Sequence, residues 1–372
     1  MTSWKELTNN GKKTFIIAEI GKNQIKTEEE RSVEEYLKNA KELVKLAKES
    51  GADAVKFQTH WVHDEQLNID VTSPHFKGAD RYSWVTRNTK STPFHEFWLP
   101  LKKYCDEIGI MFFSTPMSKG AAWILNQLNV PIWKVGSGDL LDFPTLEFMS
   151  KTKKPIVFST GMSTWEETQK AIDFLRRNHA DIAMLHCISK YPAPPEDLHL
   201  ATIEFYKEQF PDLTIGFSDH SIGYESAVAA VALGAQIIEK HFSTDRTHWG
   251  ADHKVSMHPD EFRTMVNSIR ELELNPSKKQ EWLSKDIVKR GMGEKKKTML
   301  EGEAVFRQYF RKSLMAGQSI KAGTVITEDM VYAMRPQIYA KGLPSERYEE
   351  VIGKIVTKDL NKYDPITFDI LK

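Results

Sequence analysis

Short apolar segments recur along the first 245 residues of the chain, and each one ends in small polar residues. A strand buried on both faces reads as a continuous run of β-branched and aromatic residues, so each segment is predicted to be such a strand. The chain between consecutive segments is long enough for a helix, which is the pattern of a parallel sheet. The predicted strands are Phe15–Gly21, Ala54–Thr59, Met111–Pro116, Ile132–Asp139, Pro155–Gly161, Ala183–Tyr191, Thr214–His220 and Gln236–His241.

Eight strand–helix units predict an α/β fold of the (β/α)8 TIM-barrel type over residues 1–274, with chemistry expected where the strands end. The apolar spacing predicts helices over residues 32–50, 164–177 and 224–234. The second helix opens with Thr164 and has Glu167 three residues later, which is the spacing of a capping box.

The segment from His60 to Phe97 is long for a connection between a strand and a helix, and it contains Trp61, Tyr82 and Trp84. Long connections on this side of a barrel commonly shape the substrate pocket, and this segment is predicted to do so. The alternative interpretation is a mobile excursion on the surface.

The composition changes after Leu274. Residues 275–303 are rich in Lys and Glu and show no apolar period, so they are predicted to form an extended linker whose charges face solvent. Residues 304–372 predict a small β-rich domain with too few large apolar residues to be stable alone. Its predicted strands are Ser313–Met315, Gly323–Ile326, Val331–Met334, Val351–Val356 and Pro365–Ile370.

Charge and composition narrow the classes of function. The formal net charge of zero over 372 residues provides no basic field for nucleic acid or an anionic membrane, so neither is an expected partner. Two cysteines are too few for a disulfide framework, and the first residues lack the apolar core of a signal peptide. We therefore expect a cytoplasmic protein. No P-loop, GxGxxG loop or nucleophilic triad is present, which argues against nucleotide hydrolysis and hydride transfer.

Two histidines, His220 and His241, end the last two predicted strands, so barrel geometry brings them together at the mouth. Two imidazoles beside the carboxylates of Asp219 and Glu239 suit a borderline divalent ion such as Mn²⁺, Co²⁺, Fe²⁺ or Zn²⁺, with open positions for substrate. The spacing alone does not exclude a general acid/base pair.

Lys56 and Lys134 lie inside apolar strands, where an unpaired ammonium group would be costly. Two lysines that converge on one mouth predict a pocket for a phosphate or a carboxylate. The alternative is that each lysine pairs with a carboxylate on a neighbouring strand. Hydroxyl groups at the same end are Thr115, Ser137, Ser159 and Ser218, and further polar groups there are Glu19, Gln58, Asp139, Tyr191 and Asp252.

Short motifs follow one another along the chain in the order AEIG, VKFQT, FSTP, KVGSGD, STGM, LHCISKYP, IGFSDH, EKHF and GADHKVSM. In these motifs, and in their order, the sequence resembles the sialic acid synthase family, whose enzymes condense phosphoenolpyruvate with a mannosamine-type sugar. The segment RKSLMAGQSIKAGTVITEDMVYAMRP is similar to that family's antifreeze-like (SAF, β-clip) domain. Each motif alone would be weak, but their order along the whole chain is specific.

The resemblance implies roles for individual positions. His220 and His241 would hold a divalent metal, with Mn²⁺ expected and Mg²⁺ or Co²⁺ as alternatives, and would act in catalysis with Glu19 and Asp139. The family's arrangement also implies a homodimer in which the terminal domain swaps and Arg335 reaches the partner subunit's barrel. The residues expected to bind phosphoenolpyruvate are Lys56, Thr115, Lys134, Ser137, Ser159, Ser189 and Ser218, and those expected to bind the sugar are Gln58, Tyr191, Asp252 and Arg335.

Three departures from the family pattern bear on the sugar more than on the reaction. They are Asp139 in the GSGD motif, Ser189 where Asn is common, and Gln337 after Arg335-Pro336. The expected product is a sialic acid (N-acetylneuraminate), and the alternative is a legionaminic- or pseudaminic-type acid made from a 6-deoxy-diacetamido sugar. A hypothesis from another class is a carbohydrate- or ice-binding terminal module on an inactive barrel.

Overall fold

A barrel of eight parallel strands forms the larger part of the protein, in a computed structural model that describes residues 2–72, 80–178 and 180–372. The strands follow the order β3-β2-β1-β8-β7-β6-β5-β4, and β3 lies beside β4. The predicted TIM barrel is therefore confirmed. The strands are β1 (Phe15–Gly21), β2 (Ala54–Thr59), β3 (Met111–Pro116), β4 (Trp133–Val135), β5 (Ile156–Ser159), β6 (Ile182–Cys187), β7 (Thr214–Asp219) and β8 (Ile237–His241).

Helices fill the connections between the strands, and the three predicted helices are confirmed within one or two residues at each end. Thr164 caps its helix in a capping box with Glu167, as the spacing predicts. No helix in the described part of the chain is long and apolar enough to span a bilayer. The helices are α1 (Trp4–Leu7), α2 (Val33–Glu49), α3 (Val62–Glu65), α4 (Arg81–Ser91), α5 (Leu99–Ile108), α6 (Lys119–Gln127), α7 (Phe143–Lys151), α8 (Trp165–Arg177), α9 (Thr202–Gln209), α10 (Glu225–Ala232), α11 (Pro259–Leu274), α12 (Lys279–Leu283), α13 (Asp286–Gly291), α14 (Glu301–Phe310) and α15 (Gln337–Ala340).

Register between the strands places polar side chains in one layer at the mouth of the barrel. Glu19 of β1 pairs in register with Lys56 of β2 on one side and with His241 of β8 on the other. Because consecutive side chains of a strand alternate between its two faces, residues that are in register share a face. These three side chains therefore meet inside the barrel, above a core of apolar residues.

Several predicted strands extend too far at their carboxyl ends. The run predicted over Ile132–Asp139 is a strand only at Trp133–Val135, after which Ser137–Asp139 form a 3-10 turn. The apolar run predicts the strand correctly, but the polar residues after it form the connection that curves over the mouth. The ends of β5 and β6 show the same difference.

The segment 275–303 is not the extended linker that its composition predicts. It contains α12 and α13, and Trp282 and Val288 are buried against the barrel helices. These two apolar residues provide an anchoring face that a count of Lys and Glu does not reveal. The longest stretch without a helix or a strand in this segment is residues 292–300.

The terminal domain has fewer regular strands than predicted. An antiparallel pair forms between β9 (Ser313–Ala316) and β10 (Val331–Met334). The other three predicted strands appear as isolated bridges, such as Val325 to Ile355 and Val356 to Leu371. Single bridges replace ladders because the chain turns back after two or three residues.

The terminal domain, together with α14 that leads into it, packs over the barrel mouth of the same chain. Glu303 of α14 is fully buried, and its Oε1 accepts hydrogen bonds from the backbone amides of Met162 (2.9 Å) and Ser189 (2.8 Å). These amides belong to the connections after β5 and β6. Because the structure holds one chain, the predicted exchange of this domain between two chains stays a prediction.

Candidate active site

Every site residue predicted from the sequence lines one cavity at the mouth of the barrel. The cavity has a volume of about 1010 Å³, including its open part. The structure brings the residues together from all eight strand ends and from the terminal domain, while their individual roles stay predictions. They are Glu19, Lys56, Gln58, Thr115, Lys134, Ser137, Asp139, Ser159, Ser189, Tyr191, Ser218, His220, His241, Asp252 and Arg335.

Four buried charges of alternating sign lie deep in the cavity. Lys56 Nζ is 2.6 Å from Glu19 Oε2 and 3.7 Å from Glu239 Oε2. Lys134 Nζ is 3.6 Å from Glu239 Oε1. The alternative considered for these lysines, pairing with a carboxylate on a neighbouring strand, is confirmed for Lys56, which pairs with Glu19 of β1. Lys134 differs, because its partner Glu239 lies on β8, which is not a neighbour of β4. The pairing does not remove them from the site, because both lysines line the cavity.

Neutral polar groups predicted for the site complete this network. Each of them bonds one of the four charged side chains, so their positions depend on one another. The bonds run from Lys56 Nζ to Thr115 Oγ1 (3.2 Å), from Lys134 Nζ to Ser159 Oγ (2.7 Å), from Ser218 Oγ to Glu239 Oε1 (2.9 Å) and from Gln58 Nε2 to Glu19 Oε1 (3.0 Å).

Burial and charge separate the pKa values of the two carboxyl groups. Burial, only partly opposed by Lys56, raises the pKa of Glu19 to about 7. Burial would also raise the pKa of Glu239, but Lys134 and Lys56 outweigh it and lower the pKa to about 2. Glu239 is therefore a permanent carboxylate, whereas Glu19 can gain or lose a proton near neutral pH.

The predicted histidine pair is in place, with the two ring centroids 5.3 Å apart. His220 Nδ1 lies 2.7 Å from the backbone carbonyl of Ile188, to which it donates. His241 Nδ1 is buried and has no hydrogen-bond partner within the described residues, and burial lowers the pKa of His241 to about 3. His241 is therefore neutral at physiological pH, the state that can bind a cation.

This donor set fits a divalent cation with open coordination positions. The carbonyl of Ile188 fixes the proton of His220 on Nδ1 and leaves the Nε2 lone pair free to coordinate. No group of three or more potential ligands from His, Cys, Asp and Glu occurs in the described ranges. If a metal binds here, His220 and His241 are the residues that would hold it, and the remaining positions would be available to substrate or water.

Cys187 is a cavity residue that the sequence does not single out. Its Sγ lies 3.9 Å from His220 Nδ1 and 3.7 Å from Ser137 Oγ. Burial opposes ionisation of both groups, yet their mutual interaction lowers the pKa of Cys187 and raises the pKa of His220. The contact helps to fix the orientation of the His220 ring.

Asp219 does not belong to the site, although the sequence places it next to His220. It forms a fully buried ion pair with Lys240 at 2.6 Å. Ser218 and Glu239 contact each other inside the barrel, so the following residues point to the opposite face of the wall. The expected carboxylate beside the histidines is instead Asp252, whose pKa is lowered by Lys22 and His241 although burial alone would raise it.

Gly21 marks the place where three polar side chains converge. Its φ of +58° lies in the left-handed region, and a β-bulge interrupts the register of β1 beside it. A Cβ at this position would lie 3.0 Å from Asp252 Oδ2, 3.2 Å from Gln58 Nε2 and 3.2 Å from Glu19 Oε1. Both the backbone conformation and the close approach therefore favour glycine.

Asp139 connects the barrel to the terminal domain. It forms ion pairs with Arg335 and, at 2.9 Å, with Lys312. The resemblance places Arg335 over the cavity, and the structure shows how: its backbone amide donates to the carbonyl of Glu65 at 2.9 Å, and its side chain is buried. Here Arg335 lies over the barrel of its own chain.

Sequence reasoning does not identify several further residues that line the cavity, among them Lys22, His60, Arg81 and Phe310. Arg81 belongs to the segment 60–97, so the part of that segment that is described contributes to the pocket, as predicted. Residues 73–79 of the segment lie outside the described residues. The signal that could have identified Arg81 is a basic residue at the first position of a helix, where the helix dipole disfavours a positive charge.

The fold and the cavity together define a two-domain barrel protein whose polar mouth can accept an anion and is covered by a small β domain. The chain belongs to the NeuB family, which residues 43–281 match. Residues 311–372 match the SAF domain. The predicted family and the predicted antifreeze-like domain are therefore confirmed.

Relatives of known name extend over nearly the whole chain. The human N-acetylneuraminate-9-phosphate synthase is 34% identical, with 96% of this chain and 92% of that protein covered. The N,N'-diacetyllegionaminic acid synthase of Campylobacter jejuni is also 34% identical, with 94% and 97% covered. The crystal structure of spore coat polysaccharide biosynthesis protein spsE from Bacillus subtilis matches with a TM-score of 0.74 and 31% identity, covering 97% of this chain and 95% of that chain.

Proposed function

We propose that the protein condenses phosphoenolpyruvate with an N-acetylmannosamine-type aminosugar to give a sialic acid (N-acetylneuraminate) and inorganic phosphate. The observation that supports this proposal is the combination, in one cavity of a NeuB family member, of two buried lysines with a histidine pair. Lys56 and Lys134 are suited to the anionic groups of phosphoenolpyruvate, and His220 and His241 to a metal that meets the sugar.

The reaction joins carbon 3 of the enol to the aldehyde carbon of the open-chain sugar. Water then adds to carbon 2 of the former enol, and the tetrahedral carbon breaks its C–O bond to release phosphate. Lys56 and Lys134 bind the phosphate and carboxylate groups of phosphoenolpyruvate and hold carbon 3 in attack position. The hydroxyls bonded to the two lysines, Thr115 and Ser159, fix the direction of these contacts.

A divalent metal, with Mn²⁺ expected and Mg²⁺ or Co²⁺ as alternatives, would be held by His220 and His241 and would polarise the aldehyde oxygen. The Ile188 carbonyl holds the His220 ring in the orientation this requires. Tyr191 packs against the same ring, with the centroids 4.1 Å apart, and limits its rotation.

Glu19 is the better of the two candidates for moving protons. Its pKa of about 7 makes both protonation states accessible near neutral pH. Asp139 instead serves as an acceptor for Lys312 and Arg335. We assign to Glu19 the removal of a proton from the water that attacks carbon 2, with Gln58 orienting its carboxylate through the bond to Oε1.

The identity of the sugar substrate has a second candidate. Gln58, Tyr191, Asp252 and Arg335 would contact it. The names of the relatives differ in the product, a 9-phosphate of N-acetylneuraminate in human and diacetyllegionaminic acid in Campylobacter jejuni. The second candidate is therefore the same condensation on a 6-deoxy-diacetamido sugar, which gives a legionaminic- or pseudaminic-type acid.

A phosphate-release assay tests the proposed function directly. The purified protein is incubated with phosphoenolpyruvate, Mn²⁺ and one aldose at a time: N-acetylmannosamine, its 6-phosphate, a 6-deoxy-diacetamido hexose, arabinose 5-phosphate or erythrose 4-phosphate. We expect release only with an aminosugar, together with a nonulosonate identified by mass spectrometry. Release with a simple aldose phosphate alone, or with none of the panel, would contradict the proposal.

Removal of metal provides a separate prediction. Because His220 and His241 would hold the ion that polarises the aldehyde, treatment with EDTA should abolish turnover, and Mn²⁺, Co²⁺ or Mg²⁺ should restore it. His241→Ala should lose metal binding, measured by metal analysis after gel filtration, while His95→Ala on the surface should retain it. Full turnover in protein shown to be free of metal would refute the role of the histidine pair.

The quaternary proposal is a homodimer with exchanged terminal domains. An exchange would preserve every contact between the terminal domain and a barrel mouth, including Arg335 with Asp139, but would form those contacts between two chains. Residues 292–300, which lack regular structure, would be the connection that changes course.

A further inference from the structure

Arg81 is a buried cation that forms no ion pair within 4.0 Å among the described residues. The residue is 5% exposed. Its Nε is buried and has no hydrogen-bond partner in the part of the chain that the structure describes. Three other cations in the cavity differ, because Lys56, Lys134 and Arg335 each have a carboxylate within ion-pair distance.

Lys22 lies in the same outer part of the cavity and also lacks an ion pair within 4.0 Å among the residues that are described. Its Nζ lies 5.2 Å from the ring centroid of Trp84. Burial lowers the pKa of both cations, that of Arg81 to about 10, and Arg335 adds to the effect on Arg81. Arg81 therefore remains protonated at neutral pH.

Arg81 and Arg335 lie against one aromatic ring. Their guanidinium carbons are 5.0 Å and 5.7 Å from the ring centroid of Phe310. Phe310 belongs to α14, so the terminal domain closes this part of the cavity. A cation–π contact offsets only part of the cost of burying a guanidinium group away from water. The remaining cost is removed if a bound ligand brings an anion to Arg81.

We propose that Arg81 and Lys22 bind an anionic substituent, a phosphate or a carboxylate, on the far end of the aminosugar. This inference rests on the proposed function, in which the anionic groups of phosphoenolpyruvate occupy Lys56 and Lys134 deeper in the barrel. A neutral sugar would leave both outer cations with only the more distant carboxylates of the cavity to balance them. A 6-deoxy sugar has no oxygen at carbon 6 to carry a phosphate, so a phosphate at that position selects the N-acetylmannosamine-type substrate.

The test compares three sugars that differ in charge at carbon 6: neutral N-acetylmannosamine, its 6-phosphate and N-acetylmannosaminuronate. The measured quantity is the ratio of kcat/KM for each anionic sugar to that for the neutral sugar. We expect this ratio to be well above one for either the 6-phosphate or the uronate. The sugar with the larger ratio shows whether the site binds a phosphate or a carboxylate. In Arg81→Met this ratio should fall by about tenfold to a hundredfold, the range for loss of a charge-assisted hydrogen bond.

Two further variants control for charge and fold. Lys90→Met removes one positive charge from the exposed face of the same helix, outside the cavity, and should leave the ratio unchanged. Arg81→Lys keeps the charge but not the two-pronged donor, so it should retain an intermediate ratio. A rise in the KM for phosphoenolpyruvate in Arg81→Met, with the sugar ratio unchanged, would overturn the proposal and assign Arg81 to the other substrate.

A binding experiment separates failure of this inference from failure of the proposed function. Calorimetry measures binding of N-acetylmannosamine 6-phosphate and of N-acetylmannosaminuronate to the metal-free protein without phosphoenolpyruvate. Binding of one anion that is weakened about tenfold or more in Arg81→Met supports the anion site even if no condensation is detected. Condensation with equal kcat/KM for neutral and anionic sugars would overturn the anion site and leave the proposed function standing.

Discussion

Lys134 is a single residue whose energetics can be argued from its contacts. Its ammonium group is buried and bonds Ser159 Oγ at 2.7 Å, and its nearest carboxylate, Glu239, is 3.6 Å away. Burial lowers the pKa of Lys134, although Glu239 opposes this. A lysine in direct contact with a carboxylate would gain little from an added anion, whereas Lys134 would gain a closer anion if phosphoenolpyruvate binds as proposed.

Lys134→Met keeps most of the volume and removes the charge. We expect weaker binding of phosphoenolpyruvate by about 1.5–3 kcal/mol, or roughly tenfold to a hundredfold in KM, because a charge-assisted bond is lost. The KM for the sugar should change much less. Lys103→Met, on the exposed face of α5, is the matched control. An unchanged KM for phosphoenolpyruvate would show that Lys134 only balances Glu239.

Glu19 determines a pH dependence of the rate. If its carboxylate removes the proton from water, activity should fall as the pH drops below about 7, the pKa of Glu19. A profile of kcat/KM from pH 5 to 9 should therefore have an acidic limb with a midpoint near 7, and Glu19→Gln should lose that limb along with most of the rate. If the same limb remains in Glu19→Gln, the titration belongs to another group.

The same pKa predicts an effect on stability. Because the pKa of Glu19 is raised from 4.5 in the unfolded chain to about 7 in the folded one, the folded protein binds the extra proton between these values. The resulting stabilisation is complete below about pH 4.5 and is lost as the pH rises through 7. Over that window, the free energy of unfolding of wild type should decrease relative to that of Glu19→Gln, as measured by urea titration.

At the scale of secondary-structure elements, the apolar runs predict the barrel strands well. The bounds of β1, β2 and β3 agree with the prediction, because in these strands the apolar run and the strand end at the same residues. The run ending at Asp139 is predicted too long, since Ser137–Asp139 turn over the mouth and bond the terminal domain. In the sequence, these polar residues cannot be distinguished from the end of the strand, although they turn away from it and contact the other domain.

The sequence pattern does not show to which face of a strand a charged side chain points. Asp219 and Glu239 both lie at strand ends, yet one pairs with Lys240 in the wall and the other with Lys134 in the cavity. The period of two distinguishes them only once the register of a neighbouring strand is known. Arg81 was missed for a related reason, because its role depends on a domain that is more than 200 residues away in sequence.

Helix α14 holds the connections after β5 and β6 in place through Glu303. Glu303→Ala leaves the buried amides of Met162 and Ser189 without an acceptor, which should cost about 1–3 kcal/mol of stability. Glu303→Gln keeps an oxygen that can accept from both amides, so it should retain most of the wild-type stability. Glu301→Ala, exposed on the same helix, is the control and should change stability by less than about 0.5 kcal/mol in urea titrations. Equal stability of Glu303→Ala and Glu301→Ala would contradict this.

At the scale of the whole molecule, the cavity is complete only when a terminal domain covers it. Arg335 and Phe310 come from that domain, and Lys312 bonds Asp139 and Asp142 of the barrel. The single chain shows that its length and packing allow the domain to cover its own barrel. An exchanged dimer would satisfy the same bonds, so the contacts alone do not identify the chain that supplies Arg335.

Complementation between two inactive chains identifies the source of Arg335. An Arg335→Ala chain keeps a barrel with Lys56 but lacks the covering arginine, and a Lys56→Met chain has the reverse defect. The homodimer with exchanged domains predicts that activity reappears on mixing, because each mixed dimer contains one barrel with Lys56 under an intact Arg335. At equal amounts and full exchange, about a quarter of all sites should be restored. Native mass spectrometry must show mixed dimers, and a chain carrying both substitutions, mixed with Lys56→Met, should stay inactive. If mixed dimers form and the mixture of single variants is as inactive as its parents, Arg335 covers the barrel of its own chain, as in the single-chain structure.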